Sequence, residues 1–331
     1  MVEASIVMTG SSEIQLVLPE VRIACVFNDA YAPHFAALAA SLSATRGPEA
    51  LHITVIADSC LTSKVIDTLE HYLATLNISM DVVKVPDAAI GKLPPCAPYP
   101  PLIWYRLLLP DLLPACAKVL YLDTDTLALQ SLWPLFQEDL GTNVMGAIAE
   151  PATIWEDQCK LVGIDTTEGY LNSGVLLMNL KMMRDEGFTE RALEIARTKS
   201  EILKLPDQEV LNLVTKGRWK KLHPKWNAIS YLWLDPQAAA GIYSKLEYSI
   251  AAHSPAIVHF EGTPAVKPWH FRSIHPLREI YRQMRVQTPW PLKELEGRSP
   301  MAAMLRLLPL RGQYLIARSK TAIFKLSGLR R

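Results

Sequence analysis

No Cys-x-x-Cys pair occurs in the 331 residues; the five cysteines, Cys25, Cys60, Cys96, Cys116 and Cys159, are odd in number and widely scattered. That spacing argues against a disulfide framework and against a cysteine zinc site, and it fits a reducing cytoplasm. The chain also has no Gly-x-Gly-x-x-Gly, no Gly-x-x-x-x-Gly-Lys-Ser/Thr and no Gly-x-Ser-x-Gly, so the enzyme classes built on those loops fall away. No uninterrupted apolar run reaches the roughly 18 to 20 residues needed to span a bilayer. The N-terminus carries Glu3, Glu13 and Glu20 instead of a basic start and a long apolar core, so no secretory signal is expected. Charge of one sign is missing as well. Lys and Arg number 34 against 33 Asp and Glu, a formal net charge of +1, and no basic run interleaved with aromatics appears in the first 290 residues. Nucleic acid is therefore not an expected partner.

What the chain does have is apolar material, 50% of its residues, enough for one large α/β domain or one domain with an appended tail. Val21 to Phe27 reads as a buried strand, Pro33 to Arg46 as a helix, Leu51 to Ala57 as a second strand, Ser63 to Asn77 as a second helix and Met80 to Val85 as a third strand. Strands alternating with helices of this length imply βαβ crossovers and a parallel sheet of the nucleotide-binding type. A Pro-rich link, Leu93 to Pro101, leads into a helical stretch around Trp104, Tyr105 and Arg106.

The most informative stretch follows, Lys118 to Leu129, KVLYLDTDTLAL. An apolar strand ends abruptly in two carboxylates, Asp123 and Asp125, separated by Thr124. In open α/β sheets ligands collect at the carboxyl ends of strands, and paired carboxylates there suit a divalent cation that bridges to phosphate oxygens. Two other readings compete. Asp-Thr-Asp after a strand can simply turn the chain, because Asp and Thr bond nearby backbone groups. An apolar strand running into Asp-x-Asp-x-Thr also opens the haloacid-dehalogenase-like phosphatases, but Leu127 stands here where that threonine belongs. Those enzymes also begin with their aspartate strand, whereas this one lies a nucleotide-binding unit into the chain.

Four later segments read as parts of the same site. Tyr170 to Leu180, YLNSGVLLMNL, sets Asn172, Ser173 and Gly174 before an apolar strand, where small polar groups suit a polyhydroxy ligand and glycine permits close approach. Asp207 and Gln208 start a helix in PDQEVLNLV, Trp226 and Asn227 follow in HPKWNAIS, and IVHFEGTPAVKPWH supplies His259, Gly262, Lys267 and Trp269. Each has a plainer alternative: Asp207 as a helix cap, His259 as a core or surface histidine, Lys267 as a surface lysine, Arg106 as a structural ion-pair partner.

In combination and in order, WYRLLLPDLLP, KVLYLDTDTLAL, YLNSGVLLMNL, PDQEVLNL and the HFEG to KPWH stretch resemble family 8 of the retaining glycosyltransferases, the group of glycogenin and the bacterial lipopolysaccharide galactosyl- and glucosyltransferases. The resemblance runs from about Val21 to Trp269. It implies a GT-A fold, a Rossmann-like mostly parallel sheet, and a UDP-sugar donor held with Mn²⁺, or Mg²⁺, at the Asp-x-Asp motif. It implies Asp123, Asp125 and His259 as metal ligands and Gly262 and Lys267 as diphosphate contacts. Val26 and Tyr31 match positions flanking uracil, and Asn172, Asp207 and Gln208 match those holding the donor sugar near its anomeric carbon. Arg106, Thr124 and Ser173 complete the expected donor-binding set. Asn28 and Ala30 stand where bacterial members often carry an acidic residue and an asparagine. Gly262 and Lys267 are two residues further apart than is usual, and Glu150, in AIAEP, stands where an aspartate often faces donor and acceptor.

The resulting expectation is a cytoplasmic retaining hexosyltransferase acting on lipopolysaccharide core or a related surface glycan, with a glycogenin-like self-glucosylating enzyme and a catalytically silent nucleotide-sugar binder as alternatives. Its domain plan is an extension at 1–20, a catalytic domain at 21–290 and a tail at 291–331. After Glu296 the tail has no acidic residue, while Arg306, Arg311, Arg318, Lys320, Lys325, Arg330 and Arg331 alternate with Leu, Ile and Phe. A basic amphipathic segment of this kind suits an anionic membrane surface and a lipid-linked acceptor, and equally a domain-packing helix.

Overall fold

Strands β3 (Glu20–Val26), β4 (Ala50–Ala57), β5 (Ile78–Lys84) and β6 (Lys118–Leu122) lie side by side and all parallel, β6 against β3, then β4, then β5. They are preceded by a separate antiparallel hairpin, β1 (Ser5–Met8) with β2 (Ile14–Val17). The computed structural model describes residues 5–8, 14–17, 19–86, 89, 93–96, 99–151, 155–167, 169–239, 241–310 and 312–316. Helices α1 (Ala32–Thr45) and α2 (Ser63–Thr75) make the two crossovers between β3, β4 and β5. The expected strands and helices are all present, their ends displaced by one or two residues.

The remaining strands are β7 (Thr126–Ala128), β8 (Met145–Ala147), β9 (Ala149–Glu150), β10 (Tyr170–Leu171), β11 (Val175–Asn179), β12 (Trp219–Lys221) and β13 (Ile257–His259). The seven-stranded sheet has the order β12-β8-β11-β6-β3-β4-β5. Only β11 runs against its neighbours, β6 on one side and β8 on the other, while β12 is parallel to β8. Two small antiparallel pairs, β9 with β10 and β7 with β13, sit off the main sheet.

The strands read as continuous apolar runs because both faces of the sheet are covered. Ile23, Cys25, Leu120, Leu122, Val175 and Leu177 belong to one core cluster, and Ala24, Val119, Tyr121, Leu176 and Met178 to the other. This is the alternation a pleated strand imposes when neither face meets water. Each fully buried Leu or Ile adds about 2 kcal/mol. Helix α1 is buried along most of its length, and its small residues Ala36, Ala37 and Ala39 let it lie against both the core and the helix Arg278–Val286.

The sheet brings one set of ends together. Because β3 and β6 are parallel, Val26 and Asp123 leave on the same edge. Because β11 is reversed, with Val175 opposite Leu122, the residues just before it, Asn172 to Gly174, arrive at that edge too. Strand β13 lies beside β7 with His259 opposite Thr126. After residue 290 the chain stays tied to the body, with Phe271 N–H donating to the Glu296 carbonyl at 2.8 Å and Glu296 N–H to that of Trp269 at 3.0 Å. Helix Pro300–Arg306 follows, with Met301, Met304, Leu307, Leu310 and Leu315 exposed. Of the expected basic tail, Arg311, Arg318, Lys320, Lys325, Arg330 and Arg331 lie outside the described residues. Among the described residues, no helix is long and apolar enough to cross a membrane.

Candidate active site

The Asp-Thr-Asp sequence is a tight turn between β6 and β7. Thr126 donates to the Asp123 carbonyl from its N–H at 3.2 Å and from Oγ1 at 2.7 Å, and Asp123 N–H donates to the Gly174 carbonyl at 2.8 Å. Turning the chain and gathering ligands are thus one act: the turn aims both carboxylates at the same point, and Thr124 is buried between them. His259 Nε2 lies 3.2 Å from Asp125 Oδ1 and 3.8 Å from Asp123 Oδ2. One donor atom from each of Asp123, Asp125 and His259 falls within 4.8 Å of the other two. Two hard oxygens and an imidazole nitrogen, with His259 Nδ1 donating elsewhere at 3.0 Å to Asn227 Oδ1, are a fitting donor set for Mn²⁺ or Mg²⁺.

Gly174 makes this packing possible. A Cβ there would sit 2.2 Å from His259 Cε1 and 3.1 Å from Asp123 Oδ2, so any side chain would displace one of these donor groups.

Charge is concentrated around the turn. Lys267 pairs with Asp125 Oδ2, while Arg106 spans Asp123 Oδ1 at 3.0 Å and Asp207 Oδ2 at 3.1 Å and donates to the Ser173 carbonyl at 2.8 Å. Its guanidinium lies 4.6 Å from the centre of the Tyr121 ring, whose hydroxyl donates to Asp123 Oδ1 at 2.7 Å. Burial opposes ionisation of Asp125, but Lys267 and His259 outweigh it and hold its carboxyl well below the usual range. Asp123 goes the other way: burial, assisted by the charge of Asp125, raises it against the pull of Arg106. Burial also disfavours charge on His259, and the two aspartates more than reverse this, raising its pKa. Removing either partner of such a buried pair leaves an uncompensated charge, which costs about 3–5 kcal/mol.

Beside this charged end lies a set of amides and hydroxyls. Ser173 N–H donates to Gln208 Oε1 at 3.0 Å, and Ser173 Oγ donates to Asp207 Oδ2 at 3.1 Å. Asn172 Nδ2 donates to Glu150 Oε1, Trp155 Nε1 to Glu150 Oε2 at 3.0 Å, and Gln208 Nε2 stands 3.5 Å from the same oxygen. Burial raises the Glu150 pKa, and these donors oppose the rise.

Asp207 does not cap its helix, Pro206–Thr215; the N-cap position is Leu205 and the carboxylate turns to Arg106 and Ser173. Arg106, Ser173, Asp207, Gln208, Asp123, Asp125, His259 and Lys267 are joined by direct polar contacts, and Asn172 is linked to them through Asn227 and Glu150. Between Gly262 and Lys267 the chain turns, with Val266 N–H donating to the Thr263 carbonyl at 2.9 Å. Gly262 adopts φ +89°, with open space where a Cβ would be. Val26 ends β3, and Tyr31 stands at the start of α1, 44% exposed, its ring edge-on to His34 at 5.3 Å. These three make no polar side-chain contact with the cluster. Sequence reading named Asn227 with the site but gave it no role, and it missed Tyr121 and Trp155, which nothing local distinguishes from ordinary core aromatics.

A model of the family described as glycosyl transferase family 8 matches residues 22–273. General stress protein A of Bacillus subtilis (strain 168) is 28% identical over 191 residues, 56% of this chain and 65% of its own length. A lipopolysaccharide 1,2-glucosyltransferase of Escherichia coli (strain K12) is 29% identical over 175 residues, 52% of this chain and 50% of its own. The chain thus spans about half to two thirds of these relatives. The crystal structure of galactosyltransferase LgtC with donor and acceptor sugar analogs superposes with a TM-score of 0.72 at 24% identity, over 81% of this chain and 96% of that one. The fold is thus GT-A-like, α/β with a mostly parallel central sheet.

Proposed function

The chain belongs to glycosyl transferase family 8, and from that membership we propose that it is a retaining transferase moving a hexose, glucose or galactose, from a UDP-sugar to a glycan acceptor such as lipopolysaccharide core. The observation that carries this reading is the convergence of Asp123, Asp125 and His259 at the end of β6 with Lys267 on the same carboxylate. A cation held by those three donors would supply Lewis-acid stabilisation of the charge that grows on a departing nucleoside diphosphate. Lys267 adds a second positive charge to that leaving group, which matters most where the negative charge is largest. Val26 and Tyr31 flank the base, with Thr124 and Gly262 beside the donor.

The amide-rich end takes the sugar. Asn172, Ser173, Asp207 and Gln208 offer hydrogen-bonding groups whose positions are already fixed by their neighbours, so little reorganisation is needed when charge develops on the sugar. Gln208 carries a neutral amide, a poor covalent nucleophile. We therefore favour attack by the acceptor hydroxyl on the face the diphosphate leaves, with Gln208 steadying the oxocarbenium-like sugar. The catalytic unit is 21–290, and the exposed apolar residues after 300, together with the basic tail, would hold a cytoplasmic enzyme to an anionic lipid surface near its acceptor. Removing 301–331 should release the protein from anionic vesicles; unchanged binding overturns that part.

The deciding experiment measures UDP release from a panel of UDP-sugars with and without Mn²⁺, for the wild type and Asp125→Ala. Cation-dependent release from one donor, lost in the variant, is expected. Binding of UDP with no turnover of any donor, with a full range of glycan acceptors present, would leave a nucleotide-sugar binding protein. Mass increments in hexose steps on the protein itself would mark a self-glucosylating enzyme.

A further inference from the structure

Asn227 is fully buried and hydrogen-bonded at both ends of its amide: Nδ2 donates to Asn172 Oδ1 at 2.6 Å, and Oδ1 accepts from His259 Nδ1 at 3.0 Å. The direction of this chain is fixed from outside it. A backbone N–H is a donor under all conditions, and that of Gly174 donates to Asn172 Oδ1 at 2.9 Å. The oxygen of Asn172 must therefore face Gly174 and Asn227, and Asn227 must answer it with its NH₂. That leaves the Asn227 oxygen for His259, which in turn must carry its hydrogen on Nδ1. The lone pair of a neutral His259 is then on Nε2, the atom 3.2 Å from Asp125. Whatever the charge of the ring, the Nδ1 hydrogen is the one that is held. At the far end Asn172 Nδ2 is free to donate only outward, to Glu150.

We propose that Asn227 is a positioning residue that fixes the tautomer and orientation of His259, so that Nε2 presents a lone pair to the cation site, and that it couples this ligand to the Asn172–Glu150 side of the cleft. The backbone of its loop is itself anchored. Ala228 N–H donates to the Ile257 carbonyl at 2.8 Å and His259 N–H to that of Ala228 at 3.0 Å, so Asn227 and His259 ride on interlocked segments. On the other side of the loop, Ser230 donates to Glu261 from its N–H at 3.2 Å and from Oγ. This role is distinct from catalysis, since Asn227 acts through His259. Outer-sphere partners of this kind alter metal affinity 10–100-fold when removed, a figure of about one to two orders of magnitude.

The proposal rests on Asp123, Asp125 and His259 binding a divalent cation, and its test keeps the two apart. Mn²⁺ alone is titrated calorimetrically into the full chain as wild type, Asn227→Ala and Asn227→Asp, with thermal melting and histidine ring-nitrogen NMR recorded without metal. Asn227→Ala should weaken Mn²⁺ about 10–100-fold and release the Nδ1 hydrogen of His259 from its bond. Asn227→Asp keeps the accepting oxygen and loses the donor to Asn172; it should restore Mn²⁺ affinity to within about threefold of wild type while kcat for donor turnover stays depressed. A residue that merely stabilised the fold would shift melting in both variants and give no such rescue. Wild type that binds Mn²⁺ alongside an Asn227→Ala variant that binds it equally well overturns the positioning role alone. Wild type that binds no divalent cation overturns the cation reading and this proposal with it.

Discussion

The two ends of the cleft are built from different chemistry. At one, Asp123, Asp125, Lys267, Arg106 and His259 stand within a few ångströms, and their arrangement is held by opposed charges under heavy burial. At the other, the neutral side chains of Asn172, Ser173, Gln208 and Asn227 stand beside the carboxylates of Glu150 and Asp207, and their arrangement is held by hydrogen bonds whose directions are set by the backbone N–H groups of residues 173 and 174. Charge attracts from any direction, so on the proposed function the first end would accept an ion and a diphosphate that differ in shape from the residues they displace. Amides discriminate by direction, which suits a sugar whose hydroxyls differ only in orientation. On the proposed function the two ends divide the labour: the charged end would provide stabilisation, the amide-rich end geometry.

Breaking the charged end should cost most. Asp125→Asn removes a proposed cation ligand and the charged partner of Lys267, and should lower kcat/KM for UDP-sugar turnover at least about 1000-fold, roughly 4 kcal/mol; steady-state UDP release measures it. Gln208→Ala tests the neutral end. We expect about a 100-fold fall in kcat with the donor KM changed less than about threefold, the pattern of an interaction made chiefly in the transition state. Equal losses in kcat/KM from both substitutions, appearing only in KM, would erase the distinction.

Gly174→Ala strikes the seam between the ends, since its Cβ would meet His259 at 2.2 Å. Mn²⁺ affinity should fall about 10–100-fold in calorimetry, the effect of a displaced ligand. A comparison with the backing of the charged end is sharper still. His34 lies behind Lys267, its ring 3.8 Å from that of Trp269, its Nδ1 bonded to the Tyr281 hydroxyl, which itself accepts from Arg285 at 2.9 Å. Burial, reinforced by Arg285, lowers its pKa from 6.5 to about 3. A histidine with a depressed folded pKa is protonated more readily in the unfolded chain, so stability is intact above about pH 6.5 and is lost as pH falls toward 3. Urea unfolding at pH 7 and pH 5 should show His34→Gln losing about 2 kcal/mol less than wild type over that interval. The smallest effect is expected for Tyr121→Phe, which removes one hydrogen bond to Asp123 and leaves Arg106 in place. About 1 kcal/mol in kcat/KM, or roughly fivefold, should be lost, and stability should hold within about 1 kcal/mol in the same unfolding assay.

Much of this molecule is legible in its residues one after another. The apolar runs at Val21, Leu51 and Lys118 are strands because a segment buried on both faces has no polar alternation to display. Helix α2 follows from length and amphipathic spacing, with only Leu69, Tyr72 and Leu73 buried, whereas α1 is read from length alone because it is buried nearly all round. The candidate ligand pair Asp123 and Asp125 is one residue apart in the chain, so its proximity is covalent and could be read directly. The segments carrying His259, Gln208 and Asn172 could be named as candidates in the same way.

Their meeting could not be read from local pattern. Lys267 and Asp125 are 142 residues apart, Arg106 and Ser173 67, Asn227 and Asn172 55. Only the reversal of β11 carries Asn172–Gly174 to the edge where β6 delivers Asp123, and only the pairing of β13 with β7 sets His259 over Gly174. The sequence by itself determined which segments would bury their apolar faces and where carboxylates would emerge, because periodicity and covalent neighbourhood are local. The tertiary structure decided which donor faces which acceptor, because a hydrogen bond's direction depends on groups that the chain brings together only after its crossovers have closed.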